Sequence, residues 1–77
     1  MKVRITTTEK DMPEVKEEHE TALTLHQFIL ADMGLYNNMQ ELIADFNKTE
    51  FKEGYALFKN EDSISNAYYQ HVYEVVG

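Results

Sequence analysis

Hydrophobic and polar positions alternate at the start of the chain. Val3 and Ile5 interleave with Lys2, Arg4 and Thr6, and Thr6-Thr7-Thr8 continues the β-branched run. This period of two over residues 1–8 predicts a strand buried on one face. Beyond the polar connection Glu9-Lys10-Asp11 the period changes. Val15, His19, Ala22, His26, Ile29 and Met33 recur every three or four residues, and Leu25 and Phe28 widen the stripe. That is one face of an amphipathic helix, expected over residues 13–33. Asp11 and Glu14 stand at capping-box spacing, Pro13 suits a first turn, and Gly34 suits a left-handed C-terminal cap. The first half of the stripe is weak, because Glu17, Glu18, Glu20, Thr21 and Thr24 surround it, and a start as late as Glu20 also fits.

A second helix is expected over residues 38–46. Met39, Leu42, Ile43 and Phe46 share a face, and Asn37 with Gln40, or Asn38 with Glu41, supplies a start signal. The link between the helices is short, so they should pack as a hairpin or a sharp corner.

The last thirty residues admit two periods. Phe51, Tyr55 and Phe58 fit a helical face, whereas Phe51, Tyr55 and Leu57 fit a strand face. Residues 59–66 are rich in turn formers. Ile64, Tyr68, Val72 and Val76 make a helical ladder, yet residues 68–76 are dense in the aromatic and β-branched residues of strands. The N-terminal strand decides between them. A lone strand leaves its backbone groups unpaired, and residues 51–58 and 67–76 are the candidates to pair with it. The expected fold is α+β, a three-stranded antiparallel sheet (residues 1–8, 51–58 and 67–76) covered by two helices, in a single domain of residues 1–77. A mostly helical fold with a short N-terminal strand is the alternative.

Charge changes this picture more than composition does. The 77 residues carry a net charge of −7. Between Lys16 and Lys48 there is no lysine or arginine, while Glu17, Glu18, Glu20, Asp32, Glu41 and Asp45 all lie there. A negative field of that kind favours basic partners and repels nucleic acid and anionic membrane. The chain has no cysteine, which excludes disulfides and thiolate zinc sites. A domain this small has a modest core, so self-association is a second expectation. No apolar run approaches membrane-span or signal-peptide length, and a cytoplasmic location is expected.

Catalytic and cofactor signals are sparse. His19 and His26 are seven residues apart, about 10.5 Å along a helix, too far to share one metal ion. His71 sits among Tyr68, Tyr69 and Tyr73 without a cysteine or a Gly-x-Ser-x-Gly elbow to activate. Gly34, Gly54 and Gly77 are isolated, so no phosphate-cradling loop exists, and no basic stripe is present for phosphates. The expectation is a non-enzymatic, acidic protein-interaction module without metal or cofactor, binding a basic partner surface as an inhibitor or nucleic-acid mimic. Small acidic cysteine-free proteins of phages and mobile elements often have this character. The alternative is a homo-oligomeric structural subunit whose charge serves solubility. Candidate contacts are Glu17, Glu18, Glu20, Asp32, Glu41 and Asp45. Tyr68 and Tyr69 join them, because neighbouring rings point to different faces and tyrosine suits interfaces.

Overall fold

In the computed structural model, residues 1–35, 38–62, 64 and 67–77 are described. They form β1 (Lys2–Glu9), β2 (Val15–Glu20), α1 (Leu25–Gly34), α2 (Met39–Lys48), β3 (Glu50–Lys52), β4 (Tyr55–Asp62) and β5 (Ala67–Val75). The class is α+β as expected, but the sheet has five antiparallel strands rather than three, in the order β2-β1-β5-β4-β3.

β5 is the middle strand. It pairs with β1 from Val3↔Val75 to Glu9↔Tyr69, and with β4 from Tyr55↔Glu74 to Asp62↔Ala67. Period-two alternation then sorts the side chains. Val3 and Ile5 of β1, Ala56 and Phe58 of β4, and Tyr73 of β5 project to the inner side, where they pack with Ile29 and Met33 of α1 in one buried core. Leu25, Phe28, Leu42, Phe46, Phe51 and Tyr69 pack around that core. The outer side of the sheet carries no helix among the described residues.

The expected helix over residues 13–33 divides. Residues 15–20 form β2, which pairs with β1 from Lys2↔Glu20 to Thr7↔Val15, and all six of its side chains are exposed. Five polar residues in six hid the strand period, while the requirement of β1 for a second neighbour imposed it. Asp11 does not cap a helix; it adopts φ 60° in the connection between the two strands, a left-handed conformation that Asp tolerates. α1 starts instead at Thr24. Its hydroxyl accepts a bond from the Gln27 amide at 3.2 Å, and the Gln27 side chain accepts from the Thr24 amide at 3.0 Å. This is a Thr-x-x-Gln capping box. Gly34 is the last helical residue rather than a left-handed cap, and the Leu35 amide closes the helix on Asp32 and Met33 carbonyls.

α2 begins where Asn38 and Glu41 indicated, with the Asn38 side chain accepting from the Glu41 amide at 2.9 Å. The other start signal, at Asn37, lies outside the described residues. In the C-terminal third the expected strand over 67–76 forms as β5, whereas the one expected over 51–58 divides into β3 and β4, which pair with each other as a hairpin. Gly54, at φ 68°, occupies the connection between β3 and β4. That connection sends Phe51 inward and Tyr55 and Leu57 outward, so the three do not share a face. β4 extends through Asp62, which converts the first half of the turn-rich stretch 59–66 into strand; residues 63, 65 and 66 lie outside the described ones.

Ile29 is fully buried and Leu30 is 41% exposed on the same helix. Ile29→Ala is expected to destabilise the fold by about 2–5 kcal/mol, against less than about 0.5 kcal/mol for Leu30→Ala, read from urea denaturation.

Candidate functional site

The period of two that builds the core also places Tyr69, His71 and Tyr73 on the inner side of β5. Tyr73 is fully buried under α1, and its hydroxyl donates to an Asp32 carboxylate oxygen at 2.7 Å. Toward the other end of β5, His71 lies across from Thr7 of β1 and Phe58 of β4. The Thr7 hydroxyl is 2.8 Å from His71 Nδ1, and the Tyr69 hydroxyl is bonded to His71 Nε2. Both ring nitrogens are therefore engaged, and the two hydroxyls can each donate or accept to suit either tautomer.

Two adjoining hollows open around this imidazole. One, of about 180 Å³, is bounded by Asp32, Met33, Asp45, Asn60 and the inner rings of β4 and β5. The other, of about 140 Å³, is bounded by Ile5, Thr7, Glu17, Asp32, Tyr69 and His71. Asp32, Tyr69 and His71 line both. Carboxylates from β2, α1 and α2 thus meet on one side of the molecule, although 28 positions separate Glu17 from Asp45. A hollow of this size is smaller than the usual small-molecule pocket and suits one side-chain head.

The remaining expected contacts lie elsewhere. Glu18 and Glu20, one and three strand positions from Glu17, project to the outer side of β2. Glu18 lies 3.8 Å from the Lys2 ammonium and 3.5 Å from the Arg4 guanidinium, and Glu20 lies 3.6 Å from the N-terminal ammonium. These are exposed pairs that contribute little stability but neutralise locally. Glu17, Glu18 and Glu20 therefore do not form one helical cluster. Glu41 stands exposed in the first turn of α2, where a carboxylate complements the helix dipole. Tyr68 faces outward with its hydroxyl on Gln70, whereas Tyr69 faces the hollows.

Sheet geometry sorts the cations as well. Lys2, Arg4, Lys16, Lys52 and Lys59, which are all the basic residues on strands, occupy outward positions. Five carboxylates, Glu18, Glu20, Glu50, Glu61 and Glu74, share that outer side and balance them. The inner side has no strand lysine or arginine beside Glu9 and Glu17, and Glu17 instead lies 3.1 Å from His19 Nε2 on the same strand.

Among the described residues no group of three or more His, Asp or Glu stands in position to hold a metal ion. His26 instead stacks on Phe51 (centroids 4.1 Å apart, planes at 12°), and His19 lies against Phe28 at 5.9 Å. No helix of the described residues is long and apolar enough to cross a membrane. Comparison with protein-family models, curated proteins and solved structures gives no match.

Burial holds the His71 imidazole below its ordinary pKa of 6.5, against the opposing pull of Asp32, then Glu17 and Glu9. The folded state therefore favours the neutral ring, while the unfolded chain takes up a proton as pH falls through 6.5. The stability that His71 confers is present above that pH and declines below it, down to the folded pKa. Urea denaturation between pH of about 7.5 and about 5.5 should show this loss, and His71→Gln should flatten that part of the slope.

Proposed function

We propose that this protein is a non-enzymatic interaction module that receives a basic partner on its helix-bearing side. The observation that carries the reading is the sorting of charge by the sheet. Strand lysines and arginine face outward among matching carboxylates, while Glu17, Asp32 and Asp45 line adjoining hollows on the side to which no strand lysine or arginine points. Oxygen acceptors and aromatic rings in a hollow of about 180 Å³ suit a lysine or arginine head whose stem lies on Tyr69 and Phe58. Association would be steered by the net negative field and weakened by salt.

The arrangement favours recognition of single cationic side chains over imitation of a nucleic-acid strand. A mimic needs a row of carboxylates along one surface, whereas Glu17 and Glu18 diverge to opposite sides of β2. His71 supports binding rather than proton transfer, because Thr7 and Tyr69 occupy both of its nitrogens.

A basic protein from the native host should be retained on the immobilised chain and released as salt rises from about 0.05 M to about 0.5 M. Glu17→Gln combined with Asp45→Asn should reduce its affinity about tenfold, and Glu20→Gln should leave it unchanged. Retention that ignores both salt and the double substitution would refute the reading.

A further inference from the structure

The open edge of β2 carries an inference of its own. Met1 and Thr21 exchange two backbone bonds, Met1 N to Thr21 O at 3.1 Å and Thr21 N to Met1 O at 2.9 Å. In an antiparallel ladder such reciprocal pairs recur at every second residue, so Val15, Glu17 and His19 direct their backbone groups at β1. Lys16, Glu18 and Glu20 then direct theirs away from the sheet. No strand among the described residues lies beyond them, and every β2 side chain is exposed.

We infer that this edge joins the same edge of a second copy, antiparallel about a two-fold axis at Glu18, so that two five-stranded sheets become one of ten strands. The sequence of β2 is self-complementary in that register. Lys16 falls opposite Glu20 of the second copy, twice by symmetry, and Glu17 falls opposite His19, also twice. The one like pair, Glu18 against Glu18, is already neutralised by Lys2 and Arg4 in each copy. Sliding the strands by two residues one way sets Glu17 against Glu17 while Lys16 meets Glu18, and sliding them the other way sets Glu18 against Glu20 and leaves Lys16 without a carboxylate opposite. What distinguishes the register centred on Glu18 is that its one like pair is the carboxylate already held by Lys2 and Arg4, and the two Lys16–Glu20 pairs suit a second copy as the occupant.

An apolar groove runs along the same edge. Phe28 and Ala31 of α1 and Leu35 at its C-cap bound it with Leu23 and with β2, and it encloses about 330 Å³. Leu35 is 76% exposed and Leu23 41%. The two-fold axis stands perpendicular to the joined sheet, so both grooves lie on the same side of it and flank the junction. At the opposite edge β3 has only three residues, too few for a comparable ladder.

Analytical ultracentrifugation should give twice the 9.0 kDa of one chain. Lys16→Glu and Glu20→Lys should each raise the dimer dissociation constant about tenfold, because each sets two like charges face to face. Lys16→Glu with Glu20→Lys together should restore it. In the unmodified chain, amide exchange at Lys16, Glu18 and Glu20 should slow as concentration rises. A monomeric chain, a dimer equally tight in all the variants, or unprotected exchange at those three amides would overturn the inference. These readouts are independent of basic-partner binding, which can fail while the dimer stands.

Discussion

The double pairing of β5 is the constraint on which the rest of this fold depends. A 77-residue chain has little core to spend, and its N-terminal strand starts 65 positions before the strand that satisfies it begins. Residues 67–75 solve this by bonding β1 on one side and β4 on the other. The closure reaches the ends of the chain, since Lys2 donates to the Gly77 carbonyl at 2.7 Å and Val76 to the Lys2 carbonyl at 2.9 Å. Only with β5 in the middle does Tyr73 sit under α1, where its ring fills the core and its hydroxyl holds Asp32. The hollows beside His71 are a by-product of the same register.

Charge segregation along the sequence and across the surface are different properties here. The stretch without lysine or arginine, from Glu17 to Asn47, suggests one acidic layer. In the fold its carboxylates divide by strand parity: Glu17 turns inward beside Asp32, while Glu18 and Glu20 turn outward among Lys2, Arg4 and the N-terminus. A one-residue slip of β2 would exchange the two sets, so register, rather than composition, decides which acids can cooperate. The pairing of Val3 and Ile5 with core residues on both β5 and α1 fixes β1, and β1 in turn fixes β2.

Much of the fold was legible in the chain, and what was hidden has a common cause. The N-terminal strand, the second helix and the last strand could be read because apolar spacing or the need for a backbone partner announced them, whereas the turn at Gly54 that divides residues 51–58 into β3 and β4 reads in the sequence only as a weakened helix. β2 could not be read, since Val15 is its only apolar residue and its period is written in charges that fit a helix equally well. The capping signal at Thr24 and Gln27 was present in the sequence but was overshadowed by the similar spacing at Asp11 and Glu14. Of the site, Glu17, Asp32, Asp45 and Tyr69 could be named as candidates from charge and ring chemistry. Thr7 and Asn60 were not, because a threonine in a β-branched run and an asparagine in a turn-rich stretch look local until the register brings them beside His71 or its hollow.

The two edges of the sheet show how a small domain limits unwanted pairing. β3 is blunted by its length. β2 is twice as long, fully exposed and carries five polar residues in six. A hydrophobic edge of that length would accept almost any extended chain, whereas charges at successive positions penalise every partner and register that does not cancel them. The same residues that obscure the strand in the sequence therefore protect it in the fold. Because neighbouring positions on β2 face opposite sides, Glu18 and Glu20 serve the edge alone, while Glu17 serves both the edge and the acidic lining of the hollow.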